Sequence, residues 1–488
     1  MGPTSNDATT KRVPILPEDI VTVQDKYLFR NGQRFFIKGM AFPIEYPSPR
    51  VKRKGYDIEG WTQVLEQLAS ESEINTIRIY DMDCHHHQDY DTFLERAAEL
   101  GIYVLVPLSA GMGPGVLDRD LAAPHCYSRA LYHYGRTCLD RFSKHPNVLG
   151  GIIGNEVMNA PETWPAAPCL QAYARDLQRY MMLDQDRKLP LIYSAQHDSI
   201  SAAILPSETM KLTLDYLSCQ TTEEDPLLAV DVFGINIESW CSSLQTFQYN
   251  EDGFSVGAYY DLWETLYDIS IPLIFSEMGC SIKSFNKENG LTTGARDWKQ
   301  IPVVLDKMGD VFSGFCAYAY DGNPDFRMMD APWNTGDAPS MPSQDFKNFR
   351  FELHAYNNAN HTTTHDDYGT STNVETALAP KVGAKRVLCN DVLKDLEKTG
   401  IQLKLYPIDK MPAYYYDKRG QRISLALLVL VSLVGAALFV YRRRRSRNRQ
   451  QDEERPLSPK GNDGTVLLTS MFQTQYKAIG TSSSEEDD

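Results

Sequence analysis

Between Phe35 and Tyr320 the chain repeats one pattern, a short apolar β-rich run followed by a stretch of helical amphipathicity. The runs are 35–39, 75–80, 102–108, 148–154, 190–194, 232–237, 271–276 and 312–320. The helical stretches include 58–70, 90–100, 127–143, 170–182, 259–267 and 298–308. Strands that alternate with helices build parallel sheets, and about eight such units close into an α/β barrel of the (β/α)8 TIM type. The barrel is expected over residues 25–350, behind an N-terminal arm at 1–24. Functional groups of such a barrel lie at the C-terminal ends of its strands.

Two runs end abruptly in a carboxylate. Gly154-Asn155-Glu156 follows 148–153, and Phe275-Ser276-Glu277 follows 271–274. An unpaired buried charge is costly, so this placement points to chemistry. Counted along the chain, Glu156 follows the fourth strand and Glu277 the seventh. Retaining glycoside hydrolysis or transfer uses such a pair: one carboxylate attacks the anomeric carbon, the other protonates the departing oxygen. The two must lie about 5 Å apart, with the acid protonated and the nucleophile ionised. Glu156 is read as acid/base and Glu277 as nucleophile, with Asn155 placed to hydrogen-bond the sugar 2-hydroxyl. An ordinary rim salt bridge is the competing reading for either glutamate taken alone.

A formal net charge of −15 argues against nucleic acid as a partner. Residues 423–441 carry no charge and are followed by Arg442, Arg443, Arg444, Arg445, Arg447 and Arg449. That pattern predicts a single transmembrane helix with its C-terminal side cytosolic and the barrel outside, at the cell membrane. The tail at 442–488, basic and then acidic, reads as disordered. Residues 351–422 read as a barrel-closing segment and stalk, with a short helix near 391–398 and a glycosylation sequon at Asn360-His361-Thr362. The stretch 1–19 has no apolar run of the secretory kind, so either a leader lies upstream of this sequence, the favoured reading, or the segment 423–441 translocates the N-terminal part unaided. Nine cysteines show no metal-ligand spacing, and His85-His86-His87, with no second cluster beside it, reads as a solvated loop. Neither a metal nor a cofactor is expected.

Six strings occur in one order: Phe35-Phe36-Ile37-Lys38-Gly39, Asn75-Thr76-Ile77-Arg78-Ile79-Tyr80, Gly154-Asn155-Glu156-Val157, Gly234-Ile235-Asn236, Trp240-Cys241 and Phe275-Ser276-Glu277-Met278-Gly279-Cys280. In them the chain resembles the fungal β-1,3-glucanosyltransferases of glycoside hydrolase family 72, from about Asp25 to Tyr320. The resemblance implies a (β/α)8 barrel, retention of configuration, and cell-wall β-1,3-glucan as both donor and acceptor. It puts Glu156 on the acid/base position and Glu277 on the nucleophile. It also puts Tyr80, Tyr318, Tyr320, Asn236 and Trp240 around the sugar. Cys241 and Cys280 match a family disulfide, and Cys219 another family cysteine, for which Cys389 is a candidate partner.

The chain also departs from the family. Phe42-Pro43 stand in place of a tyrosine–glutamine pair, Pro107 in place of an aspartate, and Glu238 in place of a tyrosine. Neither half of the family's first disulfide is found, since Ile58 and Asp91 lie near its two positions. Three readings follow. The first is a membrane-anchored β-1,3-glucan transglycosylase, the second a retaining hydrolase on the same barrel, and the third a glucan-binding surface protein with weakened chemistry.

Overall fold

In the computed structural model, which describes residues 12–42, 58–85, 89–111, 113–201, 204–219, 230–239, 241, 257–329, 341–359, 388–398 and 405–415, the expected barrel is present. Ahead of it lies a three-stranded antiparallel sheet of β1 (Val21–Gln24), β2 (Tyr27–Arg30) and β3 (Gln33–Arg34). The barrel strands are β4 (Ile37–Phe42), β5 (Thr76–Ile79), β6 (Tyr103–Pro107), β7 (Val148–Asn155), β8 (Leu191–Gln196), β9 (Val232–Ile237), β10 (Leu273–Met278) and β11 (Phe312–Ala317). Each pairs in parallel with the next, and β11 returns to β4 with Gly314 opposite Ile37. At that closure Gly314 has φ +105°, and a Cβ there would stand 1.9 Å from the Ile37 carbonyl oxygen. Only glycine permits the approach.

Between the strands run α1 (Ile58–Glu71), α2 (Tyr90–Glu99), α3 (Arg129–Phe142), α4 (Ala167–Asp184), α5 (Pro206–Ser218), α6 (Ala258–Thr265), α7 (Ile282–Glu288) and the short α8 (Gln300–Pro302). Side chains on the outer faces of the strands pack against these helices in one large core. Inside the lower barrel, Ile37, Leu105, Leu149, Ile192, Val232 and Ile274 form a separate apolar plug. Val21, Leu28 and Phe35 join that plug, so the N-terminal sheet closes the bottom of the barrel. The Tyr103 hydroxyl ties it down by donating to the Asp19 carbonyl at 2.6 Å. The sequence reading treats 1–24 as an arm because strands of 4, 4 and 2 residues are too short to display an alternation.

The boundary expected at 350 falls inside α9 (Gln344–Asn358), which buries Phe346, Phe349, Leu353 and Tyr356. Beyond it, α10 (Cys389–Lys398) is bonded to the end of α5 through Cys219–Cys389. Part of the expected stalk is also held to the barrel. Asp176, wholly buried on α4, accepts from Arg175 Nε at 2.8 Å, the Tyr127 hydroxyl at 2.8 Å and the Tyr414 backbone N–H at 2.6 Å. Arg175 Nη2 reaches the Pro412 carbonyl at 2.6 Å. All described residues lie in one compact unit, Met1–Tyr416. The apolar segment 423–441, the sequon at Asn360 and the tail 442–488 lie outside the described residues. No helix among the described residues is long and apolar enough to cross a membrane.

Four disulfides occur among the described residues. Cys241–Cys280 is the pair the resemblance implies, and Cys219–Cys389 joins Cys219 to its candidate partner. Cys84–Cys138 and Cys126–Cys169 had no sequence signal, because the partners meet only once the barrel has brought separate segments together. Cys316 is a free thiol buried in the barrel.

Breaking a buried ion pair from one side leaves the other charge stranded, at about 3–5 kcal/mol. Asp176→Ala should therefore lower unfolding stability by about that much in a denaturant titration. It should also expose 405–415 to limited proteolysis. An unchanged denaturation midpoint with the segment still protected would show that Asp176 does not hold it.

Candidate active site

The upper barrel is polar where the lower barrel is apolar, and Arg78 is at the centre of the change. It lies on β5 with 1% of its surface exposed. Its Nη1 donates to the Ser276 carbonyl at 2.8 Å, Glu277 Oε1 at 3.0 Å and Asn236 Oδ1 at 3.2 Å. Its Nη2 donates to Asn155 Oδ1 at 2.6 Å. Strand register brings these acceptors together, since Asn236 of β9 stands directly beside Glu277 of β10. Asn236 Nδ2 continues the network, donating to Asn155 Oδ1 at 3.0 Å and Glu156 Oε1 at 2.8 Å. The two glutamates at the strand ends are thus joined through one amide and one guanidinium.

Tyr80 closes the nucleophile side. Its hydroxyl donates to Glu277 Oε1 at 2.9 Å, and its ring lies under the Arg78 guanidinium, 4.4 Å away. Tyr318 meets the Tyr80 ring edge-on, with centroids 6.2 Å apart. Asn155 is exposed at the mouth. Its amide oxygen is occupied by Arg78 and Asn236, leaving its N–H groups without a partner among the described residues. Beside Asn155 a cavity of about 400 Å³ opens, lined by Tyr80, Pro107, Asp118, Arg119 and Val157 among others.

Glu277 is 7% exposed, and burial pushes its carboxyl up to about 7, helped by the nearby Glu156 and Glu238 and opposed by Arg78 and the Tyr80 hydroxyl. A carboxylate at 3.0 Å from a guanidinium ordinarily titrates low. Here desolvation of the buried carboxyl outweighs the pair. Glu238, exposed at the rim just past β9, is also raised, by desolvation and by Glu156. His197, at the end of β8, is pushed down to about 4 by burial and stays neutral at working pH.

The structure corrects two expected sugar contacts. Tyr320 is wholly buried against α1, with its hydroxyl donating to Gln67 Oε1 at 3.0 Å and its ring stacked on Phe42. Strand β11 ends at Ala317, so the alternation that would place Tyr320 with Tyr318 no longer applies. Asn236 is 3% exposed and all four of its amide hydrogen-bonding positions are taken within the network. It connects the two glutamates and has no valence left for sugar. Trp240 and Pro43 lie outside the described residues, while Pro107 lines the cavity. His86 and His87 are also outside them, and no metal-type cluster occurs among the described residues. Sequence reading missed Arg78 although its signal was present, a charge in the midst of the buried run Thr76-Ile77-Arg78-Ile79. Arg119, in a loop, had no such signal.

A family model described as Glucanosyltransferase matches residues 15–357. Among curated relatives, the 1,3-beta-glucanosyltransferase PGA5 of Candida albicans is 27% identical over 359 residues, covering 69% of this chain and 50% of that protein. The 1,3-beta-glucanosyltransferase GAS5 of Saccharomyces cerevisiae is 28% identical over 297 residues, covering 59% of this chain and 53% of its own length. The chain thus spans about half the length of the curated relatives it matches. The structure of Saccharomyces cerevisiae Gas2p in complex with laminaripentaose shares the fold, with a TM-score of 0.57 at 23% identity over 72% of each chain.

The raised Glu277 carboxyl has a consequence for stability. A group that holds its proton more tightly when folded adds stability below its unfolded pKa, and that stability is lost as pH rises through the folded value. For Glu277 the window runs from 4.5 to about 7. Relative to Glu277→Gln, the parent protein should lose about 3 kcal/mol of unfolding free energy across that window and be level above it. Urea titrations of both proteins at a series of pH values measure this difference. A difference that grows in the parent's favour as pH rises would reverse the sign and overturn the assignment.

Proposed function

The chain belongs to the glucanosyltransferase family, and from that premise we propose that it is a retaining β-1,3-glucanosyltransferase that cleaves and elongates cell-wall glucan. Glu277 attacks the anomeric carbon while Glu156 protonates the departing oxygen, giving a covalent glycosyl-enzyme. Glu156 then takes the proton from the 3-hydroxyl of an acceptor chain as that oxygen displaces Glu277. Arg78 and the Tyr80 hydroxyl both engage Oε1 of Glu277, which leaves Oε2 for the attack and opposes the rise that burial imposes on its carboxyl. The free N–H groups of Asn155 suit the 2-hydroxyl, a contact that strengthens as oxocarbenium character develops.

The observation that carries this reading is the Arg78–Asn236 network, which joins carboxylates from the fourth and seventh barrel strands at one rim. Tyr80 and Tyr318 supply the aromatic side of the cleft. The proposal includes a place for the enzyme: the barrel outside the cell, facing the wall, held at the membrane by 423–441 and with its tail in the cytosol. The arginine run after that segment supports the orientation, and four disulfides among the described residues suit an oxidising compartment.

Incubation with a reduced laminari-oligosaccharide tests the reading through product lengths. Products longer than the donor are expected, and Glu277→Gln should lower their formation by about 10³-fold or more. Shorter products alone would make the protein a hydrolase, and an unchanged donor would leave it a glucan-binding protein. Inverted stereochemistry would sink the mechanism.

A further inference from the structure

Glu156 stands one residue beyond β7 in the left-handed backbone region, with φ +51°. Residues other than glycine rarely adopt that conformation unless their surroundings impose it. Two hydrogen bonds do so here. The Glu156 N–H donates to the Ser194 carbonyl of β8 at 2.8 Å, and Arg119 Nη1 donates to the Glu156 carbonyl at 2.8 Å. The first bond comes from the barrel wall, but the second comes from the long segment between β6 and α3.

That segment is itself fixed. The Ala110 N–H donates to the Gly115 carbonyl, the Ala123 N–H to the Pro165 carbonyl, and Cys126 is bonded to Cys169 on α4. Arg119 is exposed, and the Glu156 carbonyl is its one hydrogen-bond partner among the described residues. We infer that Arg119 is a positioning residue for the acid/base, its guanidinium holding the Glu156 peptide so that the Glu156 carboxyl is aimed at the departing glycosidic oxygen. Without that bond the peptide can turn towards the extended region, carrying the carboxyl off the bond it must protonate. The inference rests on the retaining reading of Glu156 given above.

Arg119 also lines the cavity beside Asn155, so the test must separate aiming from sugar binding. Leaving-group dependence does this. Dinitrophenolate leaves a 2,4-dinitrophenyl β-laminaribioside without protonation, whereas the sugar oxygen leaving laminaripentaose requires it, and kcat/KM reports the bond-breaking step for both. In the full-length protein, Arg119→Ala should lower kcat/KM on laminaripentaose by about 10-fold or more and on the aryl donor by less than about 3-fold. Arg119→Lys, which keeps a cationic N–H donor group, should restore part of the loss. The ratio of the two donors is taken within one preparation, so inactive protein cancels, and Arg119→Gln serves if the alanine variant does not accumulate. Glu156→Gln calibrates the assay and should show the same selectivity more strongly. Equal losses on both donors, or no loss on either, would overturn the Arg119 assignment while leaving a selective Glu156→Gln intact. A Glu156→Gln variant with no leaving-group dependence would refute the acid/base reading, and the Arg119 assignment with it.

Discussion

A guanidinium sealed inside a barrel must be neutralised where it stands, and everything at the upper rim is arranged around Arg78. The cost of stranding a buried charge is several kcal/mol, and a single carboxylate would not satisfy a five-donor fork. Arg78 instead takes acceptors from three strands: Asn155 on β7, Asn236 on β9, and the Ser276 carbonyl and Glu277 on β10. Each must keep its register for the charge to remain paired. Room is made at Gly234, where a Cβ would stand 2.5 Å from Ser276 Oγ. Burial raises the Glu277 carboxyl despite the contact with Arg78, and the nearby Glu156 adds to the rise.

The frame around this rim is held from outside the barrel. Cys241–Cys280 ties the segments leaving β9 and β10 to one another, so the strand ends carrying Asn236 and Glu277 are also joined above the sheet. Cys126–Cys169 anchors the segment that bears Arg119 to α4, and α4 in turn holds residues 412–414 through Arg175 and Asp176. Cys219–Cys389 closes a separation of 170 residues, the kind of long loop whose cross-linking most restricts the unfolded chain. The N-terminal sheet beneath the barrel and residues 412–414 along α4 are thereby part of the barrel's scaffold.

Much of this was legible in the sequence, for definite reasons. Both-sided burial of a barrel strand leaves a continuous apolar run, so the strand carrying Glu156 and the one carrying Glu277 could be counted as fourth and seventh. The same logic applied to Arg78, and a charge in a buried run reads as a site whichever its sign. What could not be read depends on contacts between distant segments. Asn236 looked like a sugar ligand because position alone does not reveal that its four valences are already taken. Tyr320 looked like a partner of Tyr318 because the end of β11 is a matter of pairing with β4, not of composition. The disulfides Cys84–Cys138 and Cys126–Cys169 join partners 54 and 43 residues apart, for which spacing carries no information.

The two glutamates are held in different ways, and the difference suits the proposed chemistry. Glu277 lies within β10, its backbone in the ladder and its Oε1 fixed by two donors. A nucleophile needs such immobility, because attack succeeds only from a narrow range of positions and the same oxygen must later leave along the same line. Glu156 stands past the end of its strand, with its peptide fixed and its carboxyl touched by Asn236 alone among the described residues. A fixed peptide beneath a sparsely bonded carboxyl provides direction. Glu277 is constrained at its side chain and Glu156 at its backbone, and one buried arginine network links the two.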